Sequence, residues 1–473
     1  MRNDAAVASA VERLRDLLGP ERVLTGPDIP ALYSRDMLTP NRGFAAPLQG
    51  WPPPAVVRPD STDAVANVLQ AAGDYGFKLV CWVGGTNLMG SAASLEGEII
   101  LDLSRMNRVI KIDRTSRRAV VQPGVTLLKV EERAGVHGLM LGHDPWTRDY
   151  ATVGGAISPD GLGFLAPRYG SMGQMVLGLT LVLPCGKVVE QRASERTPGF
   201  NALHLAVGQE GTLGVITEAV LRLRPLPEAR KLQAFHFPEF ASGFHAAIAL
   251  RELGPSLLDF VESFEGQRLM PGGGGDLRPT IYLGFEGAKR VVEAQSREAG
   301  RIVRAFRGRR AGNGVAREYW DERHSIADMM ARDASGRSDG DSFFRKLWFD
   351  YVHVSIPLGL VLEYRARALA ILGRHDIQPS EVAIFAHPEL MNIYFVKPRH
   401  EGGNGRADLE NAVEELIHAC HAMGGSMEYC HGVGTRLSRF LPAEMGAGLD
   451  VYDRIKFALD PRGVLPTLGR RSL

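Results

Sequence analysis

Val83-Gly84-Gly85-Thr86-Asn87-Leu88-Met89-Gly90 closes the apolar run that starts at Lys78, and it is the first of three glycine-rich loops set between strand-like segments. The second is Thr152-Val153-Gly154-Gly155-Ala156-Ile157. The third is Gly208-Gln209-Glu210-Gly211-Thr212-Leu213-Gly214-Val215-Ile216. Glycine lets a backbone approach a ligand and take up positive φ. Successive free N–H groups in such a turn form a concave anion site. One loop of this kind is equally well a tight turn. Three in one region imply a long, phosphate-bearing cofactor lying across strand ends. No G-x-G-x-x-G follows a strand and no Walker A sequence occurs, so Rossmann and P-loop nucleotide binding both lack their signatures.

Outward from these loops, Val7, Val11, Leu14 and Leu18 recur at helical spacing before Gly19-Pro20. Ser61-Thr62-Asp63 caps a helix to about Tyr75, ended by Gly76. Strands are expected over 99–103, 109–112 and 119–122, with a helix from Thr126 to Ala134. Residues 37–54 are rich in proline and glycine and read as a linker over the surface. This order fits an α+β domain better than a doubly wound sheet. Beyond Leu226 the pattern changes. Strands are expected over 234–237, 279–285, 352–356, 381–385 and 392–396, and helices over 289–301, 358–373 and 409–423. Loops are expected at 271–275 and 401–405, with 402–405 as a mobile connection.

A net charge of +1 gives no electrostatic case for nucleic acid or an anionic membrane. Four cysteines (Cys81, Cys185, Cys420, Cys430) have neither C-x-x-C spacing nor a disulfide framework, which suits a reducing cytoplasm. The first residues lack the apolar stretch of a signal peptide, and no apolar run approaches a membrane span.

The three loops together resemble the FAD-binding domain of the vanillyl-alcohol oxidase/p-cresol methylhydroxylase superfamily. The stretch from Thr152 to Arg168-Tyr169-Gly170, the run ending Thr217-Glu218-Ala219-Val220-Leu221-Arg222-Leu223-Arg224-Pro225, and the tail His431-Gly432-Val433-Gly434 carry the likeness, as does Lys456 to Leu465. The resemblance implies a two-subdomain FAD-binding domain of the p-cresol methylhydroxylase type and an α+β cap domain with a helix-covered antiparallel sheet. Expected boundaries are 1–228 for the FAD domain, 229–425 for the cap, and 426–473 for a segment returning to the FAD domain. The cofactor implied is FAD, contacted by Val83, Gly84, Gly85, Thr86, Asn87, Leu88, Gly90, Thr152, Gly154, Gly155, Ser158, Gly161, Glu210, Gly211, Gly214 and Ile216. Ala156 stands where the family usually has Asn.

His431 is the candidate base, since a histidine titrates near neutrality and the following glycines bring the chain beside a flat cofactor. Tyr429, Tyr394 and Arg317 complete the catalytic candidates, with Arg317 and Arg323 as groups for a substrate carboxylate and Tyr319, Trp320, Trp348, Tyr351 and His353 as an aromatic lining. Relatives of the D-lactate and D-2-hydroxyglutarate dehydrogenase type carry a metal site. The matching positions are His387 to Tyr394 and Cys430-His431, where one His has become Tyr394 and the Glu has become Cys430. The set His387, Cys430, His431 keeps the chemistry of a zinc site, but no metal is expected.

Glu428-Tyr429 matches the phenolate-binding Glu-Tyr-Arg of the aryl-alcohol branch, without its Arg. Residues Gly425 to Gly434 resemble alkyl-dihydroxyacetone-phosphate synthase with one of its three histidines kept. The expected activity is an FAD-dependent dehydrogenase or oxidase acting on a small-molecule CH–OH or benzylic substrate. A non-redox FAD transferase and a catalytically silent FAD-binding subunit are the alternatives. The electron acceptor (oxygen, a quinone or a cytochrome), the covalent or non-covalent state of the flavin and a homodimer are left open.

Overall fold

The computed structural model describes all residues except 1–3, 35, 40, 46–51, 96, 197–198, 271–275, 313, 335–345, 401–402 and 471–473. The expected loop at 271–275 and the start of the one at 401–405 lie outside the described residues. Among the described residues the first half builds two larger sheets and a two-stranded ribbon of Leu139–Met140 with Arg224–Pro225. A four-stranded sheet runs in the order Val23–Thr25, Ala55–Val57, Ile99–Asp102, Leu79–Trp82. Its last three strands are parallel. The helix Thr62–Tyr75 makes the crossover. Ser61 Oγ caps it by accepting from Ala64 N at 3.2 Å, and Gly76 ends it at φ 72°. Its inward stripe is Val65, Val68, Leu69 and Ala72, all fully buried or nearly so. A five-stranded antiparallel sheet follows, ordered Val109–Asp113, Arg118–Val121, Val215–Arg222, Val176–Val182, Val188–Gln191.

The second half builds an eight-stranded antiparallel sheet: Arg309–Arg310, Ala229–His236, Thr280–Gly287, Leu257–Ser263, Gln378–Phe385, Leu390–Pro398, Leu347–Ser355, Ser426–Met427. Alternate residues divide its two faces. Leu258, Phe260, Ile281, Leu283, Val382, Ile384, Ile393, Phe395, Val352 and Val354 form one buried apolar cluster. The helices Phe240–Arg251, Lys289–Ala305, Val361–Arg374 and Gly405–Ala422 cover it. The opposite face looks at the first half. There Phe385 meets Phe164 with ring centroids 5.7 Å apart, Tyr169 Oη donates to Glu286 at 2.6 Å, and Arg42 lies 3.9 Å over the Tyr351 ring.

Residues 37–39 and 41–45 are not a surface linker, and 46–51 of that expected stretch lie outside the described residues. Asn41 and Arg42 are 1% exposed. Arg42 Nε and Arg436 Nη2 both donate to Asp350 Oδ1, at 2.9 and 2.7 Å, while Gly43 N donates to Asp350 Oδ2 at 2.9 Å. Polar, glycine-rich chain is buried here because a carboxylate on the distant cap sheet takes up its donors. The helix Phe240–Arg251 and the strand Leu257–Ser263 were not foreseen either. Among the described residues no helix is long and apolar enough to cross a membrane.

Candidate active site

The three glycine loops converge, and the tail passes between them. A side chain on Gly84 would meet Thr152 at 3.2 Å, so the first loop lies against the second. Glu210 N donates to Ser158 O at 3.0 Å, joining the second to the third. Asn87 Nδ2 donates to His431 O at 3.2 Å, tying the first loop to the tail. Val153–Ile157 is a short helix capped by Thr152 Oγ1, which accepts from Gly155 N, rather than an open loop. Along the first loop, Met89 N and Gly90 N bond Asn87 Oδ1 and Asp36 Oδ2 at 2.7 and 2.8 Å. The N–H groups from Gly84 to Leu88 find no acceptor among the described residues. Five successive unpaired donors, with side chains no larger than Thr86 and Asn87 before Leu88, fit a pyrophosphate.

Gly85 has φ +65°, and a Cβ there would stand 2.9 Å from the Trp82 ring. Gly85→Val is therefore expected to keep the overall fold but weaken FAD binding about tenfold or more, from strained φ and displacement of the loop on Trp82. Equilibrium dialysis of FAD checks this, and unchanged occupancy would place the phosphates elsewhere.

The tail positions a proton-transfer pair. Glu428 adopts φ 50°, a left-handed turn that swings its carboxylate back over the next residues. Its Oε1 accepts from His431 N at 3.0 Å and Cys430 N at 3.3 Å, and lies 3.1 Å from His431 Nδ1 and 3.4 Å from His353 Nδ1. With Nδ1–H of His431 donated to that carboxylate, Nε2 is left buried and without a partner. Tyr394 Oη lies 3.2 Å from His353 Nε2, and Tyr429 Oη donates to Asn392 Oδ1. The His353 ring sits 4.9 Å from His431 and 5.4 Å from Tyr429.

Burial would raise the Glu428 carboxyl, but His353 and His431 outweigh it and hold it well below its ordinary value. Burial would lower His431, yet Tyr351, Cys430 and Glu428 lift it well above its ordinary 6.5. Burial lowers His353. Burial and nearby acids hold both Tyr394 and Tyr429 well above the usual phenol range, so these phenols donate and do not act as bases at neutral pH.

Known proteins match most of the chain. The FAD binding domain family matches residues 53–192, and the C-terminal domain of FAD linked oxidases matches residues 226–466. This chain belongs to the FAD-linked oxidase family. It is a flavoprotein enzyme with FAD as cofactor. It is 34% identical over 453 residues to an alkyldihydroxyacetonephosphate synthase of Trypanosoma brucei brucei and 27% identical over 431 residues to a mitochondrial D-lactate dehydrogenase (cytochrome) of Arabidopsis thaliana, in each case spanning 87% of this chain and 72% of the relative. The structure of p-cresol methylhydroxylase with substrate bound superposes with a TM-score of 0.78 at 19% identity, covering 99% of this chain and 97% of the other, which shows the shared fold.

Within this flavoprotein, the expected site residues separate into groups. Val83 to Leu88 form the first loop, Gly84 and Gly155 lie against Thr152, Ser158 O receives Glu210 N, Gly161 lies beside Cys430, and Gly154 packs on Pro123. Glu210 instead clamps the tail: its carboxylate accepts from Val433 N at 2.7 Å, Gly434 N at 2.8 Å and Ser91 Oγ at 3.1 Å. Gly434 has φ +50° and presses on Met89, which is why glycine is needed there. Gly90 is held by Asp36, Gly211 packs on Cys81, Gly214 packs on Leu181, and Ile216 is a core residue, 4% exposed. These positions hold the loops rather than open toward the junction.

His431, Tyr429 and Tyr394 come together. Arg317 does not join them: its side chain is 84% exposed, and its ion-pair partner among the described residues is Asp321 on its own helix. Arg323 is committed to Asp144 at 2.8 Å and to the Trp320 ring at 3.8 Å. His387 lies apart, beside Arg251 and Glu389, so the zinc set His387, Cys430, His431 does not assemble. The donor atoms of His353, Glu428 and His431 do lie within 4.8 Å of one another, a set able to hold a metal. Sequence reading did not connect Glu428 to His431. The i,i+3 spacing was the available signal, but the contact depends on the left-handed turn.

Proposed function

We propose that this flavoprotein oxidises the CH–OH carbon of a small molecule, with His431 Nε2 taking the hydroxyl proton as the hydride leaves the carbon. The observation that carries this reading is the Glu428–His431 pair, which leaves one imidazole nitrogen unpartnered beside the loop junction. FAD, when bound, supplies the two-electron acceptor. Glu428 orients the ring by accepting from Nδ1–H and stabilises the imidazolium that proton transfer creates. Tyr394, beside His353, and Tyr429, bonded to Asn392, hold the pocket wall around the imidazole. The carbon loses a hydride and the oxygen a proton, so the product is a carbonyl. We favour proton transfer over metal ligation because Glu428 Oε1 is already occupied by Cys430 N and His431 N. The division of the chain into 1–228, 229–425 and 426–473 suits this reading, with loops in the first part, the pocket sheet in the second and the base in the third.

The identity to an alkyldihydroxyacetonephosphate synthase supports a second reading, a non-redox transferase. Anaerobic mixing with hydroxy acids, aryl alcohols and aliphatic alcohols separates the two. Bleaching of flavin absorbance by one alcohol class is the expected result. Persistent oxidised flavin, together with acyl-for-alkyl exchange on a dihydroxyacetone-phosphate ester, would establish the transferase instead.

A further inference from the structure

The sheet face turned toward the loop junction carries acids that proton transfer leaves unused. Glu381 stands opposite Tyr394 on one neighbouring strand and opposite Ser263 on the other. Asp259 stands opposite Tyr282 and Phe385. Between the two acids on this face lie only Ala383 and its partner Val261. Asp259 is 3% exposed and accepts from Tyr319 Oη, and Tyr319 stacks on Tyr282 with centroids 3.8 Å apart. The carboxylate of Glu381, a part-buried residue, has no hydrogen bond or ion pair among the described residues. Burial alone pushes it up to about 7. Burial, opposed by the Tyr319 bond and aided by Glu381, pushes Asp259 up to about 7.

The cations near this face are already taken. Arg230 pairs with Glu286 at 2.7 Å and lies 4.8 Å over Trp320, Arg323 pairs with Asp144, and Arg42 pairs with Asp350. A substrate carboxylate would meet like charge and no free guanidinium among the described residues. A part-buried carboxylate without a partner, with a buried acid further along the same face and electron-rich ring faces beside that acid, is what an ammonium group would satisfy.

We infer that the substrate carries a positively charged nitrogen at the end remote from the oxidised carbon, held by Glu381 with Asp259 and the Tyr282–Tyr319 ring pair. The inference rests on placing the reacting carbon at His431, as proposed above. Calorimetric titration of the oxidised holoenzyme with three matched alcohols tests it: 4-(aminomethyl)benzyl alcohol, 4-methylbenzyl alcohol and 4-(hydroxymethyl)benzoate. The amine is expected to bind about tenfold or more tightly than the methyl compound, the scale of a desolvated cation–ring and charge contact, with the benzoate weakest. Glu381→Gln is expected to bring the amine to within about threefold of the methyl compound. An amine no better than the methyl compound, a benzoate that binds best, no binding by any of the three, or an amine preference that survives Glu381→Gln would each overturn the inference. Flavin reduction by the same alcohols is read separately. Absent reduction with the amine preference intact would remove the oxidation reading and leave this binding site standing.

Discussion

His431→Ala is expected to retain FAD and slow substrate-dependent flavin reduction about 100-fold or more, the scale of losing a general base. Stopped-flow absorbance under anaerobic conditions measures it. The neighbouring phenols cannot take over at neutral pH, because burial holds Tyr394 and Tyr429 well above the usual range. The pH profile carries the second half of the expectation. His431 must be neutral to accept a proton, and its partners raise it above 6.5. Reduction should therefore rise with pH, with a midpoint on the alkaline side of that value. Glu428→Gln removes the charge that stabilises the imidazolium, so the midpoint should move to lower pH. A normal rate in the His431 variant, coupled with a large loss on Tyr394→Phe, would assign proton removal to the phenol.

Asp350→Asn is expected to cost about 3–5 kcal/mol of stability, the range for breaking a buried ion pair by deleting one partner. Asp350 is fully buried, and both Arg42 and Arg436 are nearly so. The substitution leaves two guanidinium groups facing an uncharged amide. Arg42 Nη1 also donates to Leu88 O at 3.1 Å, and Arg436 N donates to Met89 O at 3.0 Å, so the first glycine loop should loosen at the same time. Urea unfolding and FAD retention on gel filtration both report on this. A loss under about 1 kcal/mol would mean that the cluster is solvated in solution.

The elements of the first half were legible because glycine, proline and capping residues punctuate them. The cap was legible only where strands alternate cleanly. The strand Leu257–Ser263 was not seen because Asp259 and Glu262 interrupt its apolar run, and Asp259 does so because it faces the pocket. The helix Phe240–Arg251 was not seen because it is apolar on nearly every side. Arg42 was misread because its partner, Asp350, is far away in the chain. Glu428 stood in view as a family residue, but nothing local announces that its backbone turns left-handed and hands its carboxylate to His431. Glycine-rich loops were assigned to the cofactor as a group, although Glu210, Gly211, Gly214 and Ile216 serve the packing that brings those loops together.

The tail's position has a consequence for the order in which the molecule is made. The clamp of Glu210 on Val433 and Gly434 joins a loop to residues translated 223 and 224 positions later. Lys456 Nζ repeats the pattern, donating to Thr212 O at 2.8 Å and Leu465 O at 3.0 Å. A ribosome-bound chain that already carries all three glycine loops still lacks the piece that locks them side by side. The cofactor pocket is thus completed only once residues 433–456 have been made and have folded back against the first half.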